Sequence, residues 1–163
     1  MSLPIRTWPD PVLLKECVAW DFNDPKHDYD WLESNMIETL RSEGAIGLAA
    51  NQVGISHRAM LIHIQKTDQT VMMYNPELLE SSSELWTADE GCLSFPNISL
   101  SISRPKNILV SYLDRHQNKY TIELEKIDAK CFLHELDHLN GRVFKDYVSN
   151  MKFILAQKRA KKR

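Results

Sequence analysis

The stretch His134-Glu-Leu-Asp-His138, inside Lys130-Cys-Phe-Leu-His-Glu-Leu-Asp-His-Leu-Asn-Gly141, has the pattern H-E-x-x-H. On an α-helix, residues four apart lie on the same face, so His134 and His138 can direct two imidazoles at one ion. Glu135 is rotated by about 100° from His134, beside such an ion, where it can take a proton from a water molecule. The stretch predicts a helix that carries a metal centre; a surface helix with two unrelated histidines is the alternative.

Such a centre needs a further ligand, because catalytic sites of this kind use about three protein ligands and leave one position open. The metzincin pattern would place a third histidine six residues after His138, where this chain has Phe144. Thermolysin-like enzymes take a glutamate from further along the chain, and no glutamate follows Glu135. Asp146 is the only later carboxylate besides Asp137. We therefore expect the third ligand upstream of the helix.

Length and composition are those of one soluble domain: 163 residues, 43% hydrophobic and 26% charged. No apolar run approaches about 18 residues and the N-terminus has no signal-peptide pattern, so we predict no membrane segment. Three cysteines, an odd number in a chain without such a signal, predict a reducing cytoplasm and no disulfide framework. We expect a cytoplasmic monomer.

The charge is divided unevenly along the chain. Residues 152–163 carry six Lys or Arg and no acidic residue, whereas residues 1–151 carry 14 basic against 22 acidic residues, a formal charge of −8. A basic tail on an acidic body can bind nucleic acid, such as ribosomal RNA. The alternative, which we favour, is a solvated helix end, where cations are stabilised by the helix dipole.

Hydrophobic spacing predicts an amphipathic helix over residues 29–42 that stops at Gly44. From 58 to 125 the pattern changes to short β-rich segments: Ala59–Ile64, Val71–Tyr74, Ile98–Ile102, Ile108–Leu113 and Tyr120–Leu124. Asn75-Pro76 and Arg104-Pro105 are expected as breaks.

Residues 126–139 return to a helical pattern, and 150–162 predict a last helix. This order predicts an α+β fold, with antiparallel or mixed sheets around the central H-E-x-x-H helix. We expect residues 1–150 to form a single catalytic domain, and residues 151–163 a short basic C-terminal helix or tail.

The third ligand is expected from Glu90-Gly-Cys-Leu-Ser-Phe-Pro96, where Cys92 lies beside a glycine and ahead of a proline-containing loop. A metal deprotonates a bound thiol, so Cys92 can present a thiolate. Cys131 is the rival, since it shares a helical stripe with the two histidines. It is separated from His138 by about 10 Å along the helix axis, so we expect it to pack beside the site.

A glycine-rich and alanine-rich run, Gly44-Ala-Ile-Gly-Leu-Ala-Ala-Asn-Gln-Val-Gly54, follows the first helix. Its small residues permit close backbone packing. Gln52 ends an apolar stretch, and its NH₂ group could stabilise a developing oxyanion. A core-packed turn with a surface glutamine is the alternative.

Three stretches, in this order along the chain, resemble the three motifs of the peptide deformylase family: Gly47-Leu-Ala-Ala-Asn-Gln52, Glu90-Gly-Cys-Leu-Ser94 and His134-Glu-Leu-Asp-His138. Pro9-Asp-Pro11 and Asn75-Pro76 resemble features that flank them. The resemblance covers roughly residues 5–150, and three motifs in register are far more specific than H-E-x-x-H alone.

The resemblance implies an α+β metallohydrolase that removes the formyl group from N-formylmethionyl peptides and releases formate. Cys92, His134 and His138 would hold the metal, usually Fe²⁺ in this family, with Zn²⁺ or Ni²⁺ as substitutes. Glu135 would take a proton from water and pass it to the leaving amine.

By the same resemblance, Gln52 and the backbone N–H of Leu93 would stabilise the oxyanion. The substrate-binding residues, including the lining of a pocket for the methionine side chain, would be Ile46, Gly47, Glu90, Ile127, Lys130 and Cys131, with Glu90 orienting the site.

The chain departs from the family pattern at four positions: Ala45, where the family has the first glycine of G-x-G; Leu133, often Gln; Asn97, often Glu or Gly; and Ser99, in some relatives a substrate-contacting Arg. None of these is a predicted ligand, and they bear on recognition of the substrate backbone. Two other functions remain possible from the motifs: an H-E-x-x-H endopeptidase, and a binding module with a structural zinc closed by four protein ligands.

Overall fold

Three α-helices and seven β-strands make up the computed structural model, which describes residues 1–162. The helices are α1 (Tyr29–Ser42), α2 (Ile127–Leu139) and α3 (Asn150–Ala160). Short 3₁₀ helices span Pro11–Leu14, Ala50–Val53 and Phe144–Tyr147. The Asp28 side chain caps α1 by accepting a hydrogen bond from the Trp31 N–H, and Gly44, with a φ of 62°, follows its end.

The strands are β1 (Gly47–Ala49), β2 (Ala59–Ile64), β3 (Gln69–Ser81), β4 (Leu85–Cys92), β5 (Phe95–Pro105), β6 (Asn107–Leu113) and β7 (Lys119–Glu125). Five of them form an antiparallel sheet in the order β1-β2-β3-β6-β7. The other two, β4 and β5, pair as a separate antiparallel ribbon. β1 is therefore an edge strand, with one side free of sheet partners.

The predicted α+β class is confirmed, and each predicted helix and strand overlaps an observed one. The expected break at Asn75-Pro76 is wrong, because both residues lie within β3. A β-bulge accommodates them: Asn75 has a φ of 48°, and the pairing with β6 shifts register between Tyr74 and Glu77. The sequence pattern missed β1 and β4, since β1 has three residues and β4 contains Ala, Asp, Glu and Gly, which are depleted in strands.

Helix α2 lies in the interior, where it packs against β1, β2 and β7 of the sheet and against β5 of the ribbon. Its side chains Phe132 and Leu139 are fully buried beside Met60, Ile62 and Met73 of the sheet. The alternative of a surface helix is thereby excluded for the H-E-x-x-H stretch. This burial places both histidines of the motif between the sheet and the ribbon.

Helix α3 packs its Phe153 and Ala156 side chains onto β5, in a small core with Phe95 and Phe144. The Trp8 ring contacts the Phe153 ring edge-on, with centroids 5.6 Å apart. Its other apolar side chains, Met151, Ile154 and Leu155, are exposed. Within residues 1–162, no helix combines the length and hydrophobicity needed to cross a bilayer.

Candidate active site

Three side chains form a group that could hold a metal ion: Cys92, His134 and His138, whose ligand atoms all lie within 4.8 Å of one another. The Cys92 Sγ lies 3.3 Å from the His138 Nε2. The two imidazole rings are inclined at 69° with centroids 5.0 Å apart. The structure therefore brings together the three residues that the sequence predicts as ligands.

Each of the three side chains has a rigid support. The two histidines occupy successive turns of α2, whose last turn is held by Asn51, since its Nδ2 donates to the His138 carbonyl at 2.7 Å. Cys92 is the last residue of β4, and a two-residue turn, Leu93-Ser94, connects it to β5. The sequence predicts a proline-containing loop after Cys92. The structure instead has this two-residue turn, and Pro96 lies within β5.

The chemistry of the three residues fits a cation. Burial lowers the pKa of His138 well below its usual value, which leaves a neutral imidazole able to bind a metal. For His134 burial also opposes the charged form, but the hydrogen bonds to Cys92 and Glu90 and the charges of Cys92 and Glu135 raise its pKa well above its usual value. A cysteine sulfur and two imidazole nitrogens within 4.8 Å of one another are a donor set that a divalent cation such as zinc accepts.

Glu90 and Arg104 form a buried layer behind His134. The Glu90 Oε1 lies 2.8 Å from the His134 Nδ1. Arg104 donates to both oxygens of Glu90, from Nε at 2.6 Å and from Nη2 at 3.0 Å. Burial alone would raise the pKa of Glu90, but the hydrogen bonds from His134 and Arg104 and the Arg104 charge lower it. An ionised Glu90 can fix the orientation of the His134 ring.

The family resemblance predicts an orienting role for Glu90, whereas Arg104-Pro105 is predicted only as a break in the chain. Arg104 is instead buried, and a buried arginine requires a partner such as Glu90. The alternation of buried and exposed residues along β5 could have indicated that Arg104 is buried, since Arg104 and Ile102 share the buried face of that strand.

Glu135 lies against the edge strand β1 and lines a cavity that Cys92 and His134 also line. Burial raises the pKa of its carboxyl group to about 7. Its Oε2 is buried and has no hydrogen-bond partner among the described residues. A carboxyl group with a pKa near 7, next to the group formed by Cys92, His134 and His138, has the properties of a general base.

Gln52 is fully buried, and both ends of its amide are engaged. Its Oε1 accepts a hydrogen bond from the Ala49 N–H at 2.9 Å. Its Nε2 donates to the Ser94 hydroxyl at 3.1 Å and lies 3.6 Å from the Cys92 Sγ. The alternative of a surface glutamine is therefore excluded, and the NH₂ group is held beside the metal group.

A cavity of about 570 Å³ opens onto the metal group. Its lining includes nearly all the residues predicted to bind substrate, to act in catalysis or to hold the metal, namely Ile46, Gly47, Gln52, Glu90, Cys92, Leu93, Lys130, Cys131, His134 and Glu135. Ile127 is different: it begins α2 and is not among the lining residues. His138 is also absent from the lining, since it lies behind the cavity wall and is almost fully buried.

Cys131 is not part of the group that could hold a metal ion, and its Sγ donates to the Ile46 carbonyl at 3.3 Å. This contact supports packing, not ligation, for Cys131. Three of the departures from the family pattern, Ala45, Asn97 and Ser99, line the cavity. The fourth, Leu133, is buried in the core that α2 shares with the sheet.

Comparison with known proteins agrees with this geometry. The family described as "Polypeptide deformylase" matches residues 2–153. A peptide deformylase from Rhizobium meliloti is 37% identical over 152 residues, covering 91% of this chain and 86% of its own. The crystal structure of the peptide deformylase from Thermotoga maritima has a TM-score of 0.82 and 39% identity, covering 91% of this chain and 99% of that one. One from Legionella pneumophila has a TM-score of 0.89 and 30% identity, covering 99% and 95%.

The α+β fold and a Cys-His-His group whose two histidines are buried beside a glutamate define the class of metal-dependent hydrolases. Within that class the family match is specific. The chain belongs to the peptide deformylase family, whose members remove the N-formyl group from nascent peptides.

Proposed function

We propose that Cys92, His134 and His138 hold the divalent ion with which this enzyme removes the formyl group from N-formylmethionyl peptides. By family the ion is Fe²⁺, with Zn²⁺ or Ni²⁺ as substitutes. When bound, it supplies Lewis acidity, which lowers the pKa of water and polarises a carbonyl group. The observation that carries the proposal is the convergence of the three ligand atoms within 4.8 Å, next to a cavity lined by Cys92, His134, Glu135 and Gln52.

Glu135 is the general base and then the general acid in this proposal. Its carboxylate takes a proton from the attacking water, whose oxygen forms a bond to the formyl carbon. When the carbon–nitrogen bond breaks, Glu135 delivers that proton to the leaving amine, and formate is released. A pKa of about 7 suits both transfers near neutral pH.

Two hydrogen-bond donors are assigned to stabilise the negative charge that develops on the formyl oxygen. One is the Nε2 of Gln52, which is held in place by the contacts of its amide with Ala49 and Ser94. The other is the backbone N–H of Leu93, in the turn that follows Cys92. Donors fixed in advance stabilise such a charge at little cost in reorganisation.

The methionine side chain of the substrate is assigned to the apolar wall formed by Ile46, Cys131 and the stem of Lys130. Lys130 is held at the rim, since its Nζ donates to the Asp89 carbonyl at 2.9 Å. Gly47, which lines the cavity from the free edge of β1, is assigned to contact with the peptide backbone of the substrate.

The test combines metal analysis with a formate-release assay on wild type and Cys92→Ser, purified without oxygen. We expect one divalent ion per wild-type chain and formate release from formyl-Met peptides, with both greatly reduced in Cys92→Ser. Cys131→Ser is the matched control for metal content and should retain the ion, because its thiol donates to the Ile46 carbonyl. A metal-loaded wild type that releases no formate would contradict the proposal.

We propose that residues 1–150 form the catalytic unit. We also propose that the basic end of the chain, which follows this unit, contacts the ribosome. Three of its cations, Lys158, Arg159 and Lys161, follow the buried Phe153 and Ala156, so they extend from a helix anchored on β5. We also propose that the enzyme is a cytoplasmic monomer; its three free thiols suit a reducing compartment.

Neutralising the cations while keeping the anchor tests the ribosome contact. The variant replaces Lys158, Arg159, Lys161 and Lys162 with Gln, and its control replaces four exposed cations elsewhere, Lys26, Arg41, Lys66 and Lys119. We expect weaker co-sedimentation with ribosomes for the first variant alone, most clearly at low salt. Equal co-sedimentation of both variants would contradict this contact.

A further inference from the structure

A chain of polar contacts continues from Arg104 to the surface of the protein. The Arg104 Nη1 donates to the Asp137 Oδ2 at 3.0 Å, and the Tyr147 hydroxyl donates to the same oxygen at 2.7 Å. The Arg104 guanidinium also lies over the Tyr147 ring, 4.6 Å from its centroid. Together with the contacts of Glu90, these bonds connect the Tyr147 hydroxyl to the imidazole of His134.

The Arg104 guanidinium is shared by two carboxylates and has little freedom to turn. Its Nε and Nη2 are engaged by Glu90, and its Nη1 by Asp137, while its side chain is 4% exposed. A bidentate arginine pair defines the plane of the carboxylate that it binds. Whatever fixes the guanidinium therefore also fixes the Glu90 oxygen that faces His134.

Asp137 depends on a second donor for its own orientation. Its side chain is 14% exposed, so one of its oxygens could turn toward solvent. The Tyr147 hydroxyl prevents this by donating to the oxygen that already accepts from Arg104. Tyr147 ends the 3₁₀ helix that follows α2, and the bond holds this segment against the helix that carries both histidine ligands.

We propose that Tyr147 is a positioning residue of the metal centre: through Asp137 and Arg104, it holds Glu90 in the orientation that receives the His134 Nδ1–H. The inference rests on the proposed role of His134 as a ligand. With Nδ1 bound to a carboxylate, Nε2 is the nitrogen that remains for the ion. Loss of the tyrosine hydroxyl should therefore loosen the ligand without removing it.

Tyr147→Phe tests the proposal, because it keeps the ring and removes one hydrogen bond. The rate at which the metal-loaded protein transfers its ion to an excess of chelator should rise about threefold to tenfold, below the 10–100-fold affinity loss typical of partners that touch a ligand directly. Tyr120→Phe is the matched control: its hydroxyl donates to Asp114 on the exposed β6–β7 hairpin, and its release rate should not change.

The visible absorption of the Co²⁺-substituted protein gives a second measurement that general destabilisation would not change. Reorientation of a ligand alters the ligand field, so Tyr147→Phe should shift the bands and Tyr120→Phe should leave them in place. A release rate and a spectrum identical to those of the wild type would overturn the proposal.

A double-mutant cycle with Asp137→Asn establishes the route of the effect. If Tyr147 acts through Asp137, Tyr147→Phe should not increase the release rate further in the Asp137→Asn background. Equal effects in both backgrounds would overturn the proposed route. Failure of the proposed function is distinguishable from either result, because the wild type itself would then bind no ion or release no formate.

Discussion

Gly47 lies so close to Glu135 that a methyl group at residue 47 would be 2.6 Å from the Glu135 Oε1 and 2.8 Å from the Cys131 Sγ. The edge strand β1 thus passes directly over the face of α2 that carries the proposed general base. Glycine is required here by the proximity of the two elements, since no side chain fits between them. The position of the Glu135 carboxylate therefore depends on a glycine at residue 47 in β1.

Gly47→Ala should lower kcat/KM for formyl-Met peptides by about 100-fold, because Glu135 must move to make room and small misplacements of catalytic groups are costly. It should also lower the free energy of unfolding by about 1–3 kcal/mol, as overpacking does. Gly91→Ala is the control for stability, since a methyl group there meets nothing nearer than 3.9 Å. Wild-type kinetics and stability in Gly47→Ala would contradict this view of the contact.

Glu135→Gln should reduce formate release by about 10²–10⁴-fold, the usual contribution of a general acid–base residue. The variant should retain its metal, because Glu135 is not one of the three proposed ligands. Formate assays and metal analysis on one preparation check both statements. Glu123→Gln, an identical change on the exposed side of β7, should behave as wild type. Loss of the metal from Glu135→Gln would instead indicate that the residue is a ligand.

Phe153→Ala should lower the free energy of unfolding by about 3–5 kcal/mol, because it removes a buried ring that contacts the Trp8 and Phe95 rings edge-on. Leu155→Ala, two residues away and exposed, should change it by less than about 0.5 kcal/mol. Urea denaturation of the two variants gives the comparison. Equal stability of the two variants would mean that α3 is not anchored on the ribbon.

Cys17 should make stability depend on pH in the alkaline range. Burial raises the pKa of its thiol from 9.0 to about 11. As pH rises above 9, the unfolded chain loses this proton before the folded protein does, so the free energy of unfolding falls until pH passes about 11. Wild type should therefore lose more stability than Cys17→Ala between pH 8 and pH 11, measured by denaturation at each pH. Parallel curves for the two proteins would contradict the assignment.

Much of the site was predictable from local sequence. H-E-x-x-H predicts two metal ligands, because residues four apart share a helix face, and it predicts a base in the glutamate between them. Cys92 followed from the need for a third ligand and from its motif. Local sequence did not indicate that Ile127 is absent from the cavity lining or that Arg104 pairs with Glu90. Whether a side chain lines a cavity or completes an ion pair depends on elements far away in the chain, and a single sequence contains no direct record of these contacts.

The sequence by itself determined the α+β class, the boundaries of α1 and α2, and the identity of the chemical groups, because periodicity and capping are local properties of the chain. Only the tertiary structure decided how β1, the β4–β5 turn and α2 meet. That meeting buries Glu135, aligns Gln52 with Cys92, and connects His134 through Glu90 and Arg104 to Tyr147. Such contacts join distant parts of the chain, as the hydrogen bond between Asn51 and His138 does across 87 positions, and they form only when the hydrophobic core brings the elements together.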